Sequence, residues 1–468
     1  MHYLRLAYLS FFCGLISVMS FLNIIYSYYF NLYLNLSTYV FSLIISLLLC
    51  TLFYFARDDK KKTTIYNKIL TVLLGYFLLP LIISIPFYFS IYNLTFINSY
   101  FEAISGFTST GFTIFENINQ IDQSLIIWRS TSQWIGGLYF LFSIIFLIDI
   151  FDNSFKKSLT NFISFNKSET LKQTLKIFFL YLGLTIFIFI ILNLVGIRTL
   201  NSLNLAFSII SSGGFLPVNE LSTILYSKAQ IIIFSLLMLI SFFSIFLSYN
   251  LFFYKGRDIN FFQEDINLFF YLFTLFVIFF LFFNYENNFS HIILSLTSSI
   301  SNIGISLDNN EADISIVLLI LVIIGGSFFS TSSGLRFLKI YSLFKYSMNE
   351  ILSYSRPKNI YINKLLFSKS NFELSETYRY FLSIIIFFIT MILLSSLLSI
   401  SGINFESSFK LSILTLMNTV NSSAYGLANF DFQSLHFLSK YWLMIFMIIG
   451  RVELLSLLII CKKFLFKN

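Results

Sequence analysis

Four short runs of hydroxyl, amide and glycine residues recur along the 468-residue chain at intervals of roughly a hundred residues, each between two apolar stretches. They are Thr108-Ser109-Thr110-Gly111, Ser211-Ser212-Gly213-Gly214, Ser301-Asn302-Ile303-Gly304 and Thr419-Val420-Asn421-Ser422. None of these side chains is a strong acid, base or metal ligand. What they offer is oxygen, from backbone carbonyls and hydroxyls, which suits a hard monovalent cation. Four segments converging on one axis can replace an ion's water shell. The leading expectation is therefore a cation-conducting protein.

The first three loops share further detail. A hydroxyl stands six residues before each glycine, Ser105 before Gly111, Ser208 before Gly214 and Ser298 before Gly304, and the match extends to Ala103 and Ala206. A glycine at such a point lets the backbone turn without a Cβ, while a short helix before it aims its negative end at the axis. Small residues also let helices pack closely, but four matched contexts favour the pore. The fourth loop has no glycine at the expected point. The internal spacing places Thr415 six residues ahead and so puts Asn421 at the glycine position.

The elements that would hold these loops are membrane helices. The chain is 57 % hydrophobic and 11 % charged, with a mean hydropathy of +0.82, so lipid must serve as its solvent. Taking about 20 apolar residues per crossing, full spans fall near 6–30, 33–56, 68–92, 124–150, 174–197, 226–253, 265–284, 314–347, 375–400 and 438–461. Four weaker segments, near 97–108, 200–210, 290–301 and 407–418, are too short to cross and run into the polar loops. They read as re-entrant half-helices, tolerated only where protein or water satisfies their free carbonyls. The opening run reads as a retained helix, not a cleaved leader.

Charge distribution orients the layout. Lys and Arg crowd alternate connections, in Arg57, Lys60, Lys61, Lys62 and Lys68, then Lys156, Lys157, Lys167, Lys172 and Lys176, then Lys255 and Arg257, then Lys345, Arg356, Lys358, Lys364 and Lys369, and finally Lys462, Lys463 and Lys467. The positive-inside rule puts both termini in the cytoplasm of a multi-pass protein of the cytoplasmic (inner) membrane. The opposite connections carry Glu116, Asp122, Glu220, Glu286, Asp308, Glu311, Asp313, Glu406 and Asp431, an acidic vestibule that would concentrate cations. Trp128, Trp134 and Trp442 read as interface anchors. The net charge of +8 calls for anionic lipid at the cytoplasmic face and for no nucleic acid. Cys13, Cys50 and Cys461 lie inside apolar spans and behave as small hydrophobes. With only His2, His291 and His436, and no HExxH, P-loop or GxSxG pattern, no catalytic residues are assigned and the chain is not expected to be an enzyme.

At this point the residues resemble a known family. Phe101-Glu102-Ala103-Ile104-Ser105-Gly106-Phe107-Thr108-Ser109-Thr110-Gly111-Phe112, followed by Trp128-Arg129-Ser130 and Gln133-Trp134-Ile135-Gly136-Gly137, looks like the first pore repeat of the Trk/Ktr/HKT superfamily of potassium transporters. Ala206-Phe207-Ser208 to Ser212-Gly213-Gly214-Phe215 resembles the second. Gly325-Gly326-Ser327 with Ser330-Thr331-Ser332-Ser333-Gly334-Leu335-Arg336 resembles the interrupted helix of the third, and Gly450-Arg451-Val452-Glu453 the final helix of the fourth.

The resemblance covers nearly the whole chain and implies an all-α polytopic membrane protein, the pore-forming subunit. It implies an N-terminal two-helix extension (1–66) and four pseudo-symmetric helix–pore-loop–helix repeats (67–155, 156–258, 259–350 and 351–468). The expected ion-binding filter is Ser109, Thr110, Gly111, Ser212, Gly213, Gly214, Asn302, Ile303, Gly304, Thr419, Val420 and Asn421, with K+ as the ion bound there and no covalently bound cofactor. Gating is expected from Ser327, Ser330, Thr331, Ser332, Ser333 and Gly334 and from Arg451, an ionisable residue inside the last span that is expensive unless it faces water or a partner. The resemblance further implies a homodimer and a cytosolic ring of nucleotide-binding regulatory subunits, because this chain has no dinucleotide fingerprint. The expected activity is potassium uptake, with sodium assistance open. The alternatives are a relaxed-selectivity Na+/K+ pathway, a nonconducting protein of the same fold, and a broken-helix transporter of an organic solute. A Gly-Pro-Gly register known in relatives would select Ser423 in place of Asn421 in the fourth loop; the internal spacing favours Asn421.

Overall fold

A run of about 20 uncharged apolar residues satisfies its backbone internally only as a helix, and the chain does so repeatedly. The computed structural model describes residues 6–56, 65–147, 170–248, 262–282, 289–307, 314–354, 374–428 and 430–452. Helices α1 (Leu6–Tyr29) and α2 (Leu36–Phe55) form an antiparallel pair, followed by α3 (Ile65–Tyr88), the short α4 (Phe96–Phe107) and α5 (Gln123–Phe146). Then come α6 (Thr170–Leu194), the short α7 (Thr199–Ile210), α8 (Lys228–Phe242), α9 (Phe262–Phe282) and the short α10 (Phe289–Ile300). The chain continues through α11 (Ser315–Ile323), α12 (Phe337–Ser353), α13 (Leu374–Ile400), the short α14 (Phe405–Leu416) and α15 (Phe437–Arg451). Among the described residues, five helices are long and apolar enough to cross a membrane: α1, α2, α3, the Leu175–Leu194 part of α6 and the Thr377–Ile400 part of α13. Their exposed faces carry residues such as Phe21, Leu22, Leu48, Leu52 and Ile392, as helices facing acyl chains do.

The four short segments form where the sequence places them, each as a 12-residue helix. Helix α4 starts at Thr95, whose side chain accepts from Asn98 N–H, a cap that a polar residue before an apolar run supplies.

Helix α5 is buried along almost its whole length. Gly136 and Gly137 explain how it comes so close to the loops. A Cβ on Gly136 would collide with the Phe107 carbonyl, and one on Gly137 would stand 2.9 Å from Ser211 Cα. The helix thus carries the ends of α4 and α7 on a surface without side chains.

Two of the apolar spans are broken, one expected and one not. The stretch 314–347 ends as a helix at Ile323. Ile324–Gly325 (β1) then pairs in parallel with Leu335–Arg336 (β2) across a buried, hydroxyl-rich loop, as the resemblance implies. The stretch expected as a span over 226–253 breaks at Phe243, whose ψ of 164° leaves the helix. The two breaks repair each other. Ser327 N–H donates to Phe242 O at 3.0 Å, Ser332 N–H to Ser241 O at 3.2 Å, and Ile245 N–H to Phe329 O at 3.1 Å. Backbone freed by one interruption is satisfied by the other, which permits irregular chain at this depth.

Trp128 and Trp134 are not interface anchors. Both are buried, with Trp128 Nε1 donating to Ile83 O and Trp134 Nε1 to Thr185 Oγ1, each at 3.0 Å. Trp442 is partly exposed. Most of the basic residues used for orientation, together with Glu286, Asp308, Glu311, Asp313 and Glu453, lie outside the described residues.

The close approach at α5 has a direct test. Gly136→Val should abolish or sharply lower the yield of monodisperse, detergent-extracted protein, because the wall it meets is backbone. Gly14→Ala, where a Cβ would meet only Cys50 Sγ at 3.4 Å, should extract and melt like the parent. Equal thermal stability of the two variants would refute this account of the packing.

Candidate functional site

Each short helix ends in the same way. The residue after its C-cap takes a positive φ: Ser109 at 54°, Ser212 at 56°, Asn302 at 58° and Asn418 at 48°. The next N–H reaches back to the last turn, Thr110 N to Ser105 O, Gly213 N to Ser208 O, Ile303 N to Ser298 O and Thr419 N to Leu414 O, at 2.8 to 3.0 Å. This is the bonding of a helix stopped by a left-handed residue.

These bonds fix the register of the loops. Gly111, Gly214 and Gly304 stand two residues after the left-handed position, and the same count from Asn418 arrives at Val420. The expected register is therefore one residue off: Leu414, not Thr415, matches Ser105, and Val420, not Asn421, takes the glycine position. Thr415 donates its hydroxyl to Leu411 O within its own helix. Asn421 turns aside, its Nδ2 donating to Leu427 O at 3.0 Å. Ser423 opens a short 3-10 turn (Ser423–Tyr425) and pairs with Ser306 at 2.7 Å.

The four loops form a closed circuit. Loops 1 and 2 meet at their glycines, where a Cβ on Gly111 would stand 2.9 Å from Gly214 Cα. The Ser212 hydroxyl donates to Ser301 O, linking loops 2 and 3. Asn302 Nδ2 approaches Thr419 Oγ1 at 3.4 Å, linking 3 and 4, and Asn418 Nδ2 donates to Thr110 Oγ1 at 3.0 Å, returning to loop 1. Ser109 Oγ and Asn302 Oδ1 are buried in the circuit without a protein hydrogen-bond partner.

Arg451 lies directly against this circuit. Its side chain is buried and donates to Thr108 O, to Thr331 O at 2.7 Å and to Ser211 O at 3.4 Å. Thr108 and Ser211 are the C-caps of α4 and α7, so one guanidinium serves two negative helix ends and the interrupted segment together. Arg336, which closes the third-repeat motif in the sequence but is not among the expected gating residues, belongs with it. Its Nη1 donates to Ser327 O, Ser330 Oγ and Ser332 O at 2.9 to 3.2 Å. Both guanidinium carbons lie near one ring, Phe140, at 5.1 and 4.6 Å from its centroid. Gly326 N–H donates to Ser332 Oγ at 3.0 Å, Ser333 donates to Asn418 Oδ1 at 3.3 Å, and Gly334 has a φ of +85°. The expected gating residues are thus all in one buried cluster beside the loops.

Glu102 and Arg129 form a buried ion pair at 2.8 Å. Glu102 also accepts from Ile114 N–H at 2.9 Å and Thr113 Oγ1 at 3.1 Å, while Arg129 reaches Thr113 Oγ1 at 2.9 Å and stacks 4.3 Å from the Phe215 ring. The pair braces the chain leaving loops 1 and 2.

Above the glycines opens a cavity of about 450 Å³ whose lining includes Gly111, Gly214, Val420, Glu116, Glu220 and Asp431. Of the expected vestibule acids, these three line it. Asp122 instead caps α5 through Ser124, and Glu406 pairs with Lys410 at 2.6 Å. The Asp431 carboxylate is held below its ordinary pKa, first by the Ser434 side chain and then by backbone N–H groups of Gln433 and Ser434, so it stays charged at neutral pH.

No protein-family model matches the chain. Similarity to individual proteins is extensive. The chain is 24 % identical over 427 residues, 86 % of each sequence, to the Trk system potassium uptake protein TrkH of Escherichia coli strain K12. It is 23 % identical to TrkG of the same strain over 80 % of each, and 24 % identical to an uncharacterized cation transporter of Methanocaldococcus jannaschii over 67 % of this chain and 66 % of that one. The crystal structure of the potassium transporter TrkH from Vibrio parahaemolyticus shares the fold, with a TM-score of 0.83 over 97 % of both chains at 19 % identity. The resemblance to the Trk/Ktr/HKT superfamily is borne out, and the chain is a multi-pass membrane protein.

Removing one member of a buried ion pair costs about 3 to 5 kcal/mol, while replacing both is far milder. Glu102→Gln should therefore lower the melting temperature of the extracted protein strongly, and Glu102→Gln combined with Arg129→Met should recover much of the loss. A double variant no more stable than the single would show that the pair does not hold these two chain exits.

Proposed function

We propose that this chain is the pore-forming subunit of a potassium uptake system in the cytoplasmic membrane. The observation that carries the reading is the closed circuit of four left-handed turns, each at the negative end of a short helix, beneath an acidic cavity. The names of the similar proteins supply the ion: TrkH and TrkG are potassium uptake proteins. In this reading a cation collects at Glu116, Glu220 and Asp431 and loses water at the four loops. There it meets oxygens of Ser109, Thr110, Gly111, Ser212, Gly213, Gly214, Asn302, Gly304 and Thr419, while Ile303 O, the remaining member of loop 3, faces the Val420 N–H. It then passes the segment from Ser327 to Gly334. The membrane potential drives the step and sodium assistance stays within the proposal. Val420 and Asn421 complete the fourth loop, whose departure is treated below.

The segment between β1 and β2 is the gate of this proposal. Arg451 and Arg336 hold it by hydrogen bonds to its carbonyls, so opening requires those bonds to exchange for water or for other carbonyls. The proposal also includes four pseudo-symmetric repeats after an N-terminal helix pair, cytoplasmic termini, a homodimer and a cytosolic nucleotide-binding ring that moves the gate. The clustering of gate and loop residues around one guanidinium supports it.

Rubidium-86 uptake by a potassium-import-deficient host tests the reading. The parent chain should restore uptake. Gly111→Ala should lower it or alter ion preference, since its φ of +84° and its contact with Gly214 leave no room for a Cβ. Arg451→Gln, which keeps a donor but removes the charge, should raise basal flux or uncouple it from the regulatory partner. No uptake by well-inserted parent protein overturns the proposal, and parental behaviour of both variants removes these residues from the path.

A further inference from the structure

Loop 4 differs from the others in the one residue that faces them all. A Cβ on Gly111 would lie 3.0 Å from Val420 Cβ, and a Cβ on Gly214 would overlap Val420 Cβ and stand 2.6 Å from its Cγ1. The isopropyl group therefore occupies the space that the glycines leave open. Val420 also lines the acidic cavity beside Gly111 and Gly214, so it stands where the cavity meets the circuit.

Its backbone departs from two of the three glycines. Gly111 and Gly304 have φ values of 84° and 82°, whereas neither Val420 nor Gly214 is among the residues with positive φ, a region that a β-branched side chain enters only under strain. Val420 N–H instead points at Ile303 O, 3.4 Å away. Ile303 immediately precedes Gly304, so a carbonyl of loop 3 is turned toward a protein N–H. Val420 O in turn lies 2.6 Å from where a Gly304 Cβ would be.

We infer that Val420 is the selectivity- and rate-determining constriction of this pathway. It is an apolar wedge in the fourth position of the outer ring that narrows the entrance and occupies one carbonyl otherwise free for the ion. This rests on the cation-pathway reading. A cation entering here sheds water against three polar sides and one methyl-covered side, so it is dehydrated without full replacement. Both potassium throughput and the preference for potassium over sodium are lower than glycine would allow at this position.

The test is rubidium-86 flux into liposomes containing the full chain, with potassium or sodium as competitor, for the parent, Val420→Gly, Val420→Ala, Val420→Thr and Gly14→Ala, each checked for monodisperse extraction. Val420→Gly should raise flux by about tenfold, the effect of roughly 1.4 kcal/mol on a barrier, and should sharpen competition by potassium relative to sodium. Val420→Ala should fall between, and it carries the test if the glycine variant does not extract. Val420→Thr keeps the volume but exchanges a methyl for a hydroxyl, so its flux should stay well below that of Val420→Gly, and Gly14→Ala, outside the pathway, should match the parent. Parental flux and competition in both smaller variants overturn the wedge while leaving the pathway standing. A threonine variant that matches the glycine one also overturns it, because shape would then not be the determinant. Silence of the parent and of every variant overturns the pathway and the wedge together.

Discussion

Hydrogen bonding of backbone at membrane depth is the constraint on which the rest of this structure depends, and Arg451 carries the greatest share of it. A helix that stops inside the membrane leaves carbonyls without partners in a medium that offers no water. The C-cap carbonyls of the four short helices are nevertheless all engaged. Thr108 O and Ser211 O accept from Arg451, Ser301 O accepts from the Ser212 hydroxyl, and Met417 O accepts from Thr419 Oγ1 at 3.2 Å. Two of the four therefore depend on one charged group, which itself could not be buried without carbonyls and the Phe140 ring around it. Neither the short helices nor the arginine is tenable alone.

The same reasoning covers the two broken spans. The hydroxyl-rich segment after β1 cannot face lipid, and the break at Phe243 cannot either. Placed together, they exchange N–H and C=O groups as two mismatched strands would. Asp265 closes the arrangement from α9: its carboxylate accepts from Ser244 N–H at 3.3 Å and from the Ser244 hydroxyl at 2.9 Å. The break after α8 thus carries a side-chain cap like that of an ordinary helix N-terminus, supplied from another helix.

How much of this was legible follows from which physical signal each feature leaves in sequence. The short helix at 96–107 was read at 97–108 because apolar length and a polar stop are composition. The break at 324–336 was legible because glycines and hydroxyls interrupt an apolar run. The break at Phe243 left no such mark, since serines in an apolar run suit a continuous helix equally well, and only the partner segment shows why the chain bends. Loop 4 was misread for a related reason. Matching hydroxyls aligned Thr415 with Ser105, but the loop is built by backbone handedness, and Asn418, an amide tolerant of positive φ like Asn302, was the better landmark. Trp128 and Trp134 were placed by analogy with interfacial belts, although an indole N–H is equally satisfied by a buried carbonyl or hydroxyl.

Asn418 shows what this economy of partners implies for motion. Its Nδ2 donates to Thr110 Oγ1 in loop 1 and to Met447 O in α15 at 2.9 Å, while its Oδ1 accepts from Ser333 in the interrupted segment. A residue whose backbone sets the turn of loop 4 is thus bonded through its side chain to the neighbouring loop 1, to the helix that bears Arg451, and to the segment beneath. Displacing that segment removes Ser333 from Asn418 and Thr331 from Arg451 in one movement. Both losses act on groups that fix the short-helix ends, so the segment cannot shift without altering the bonding of the loops above it. Coupling between the two levels then needs no relay through the lipid-facing helices, because a single amide and a single guanidinium already belong to both.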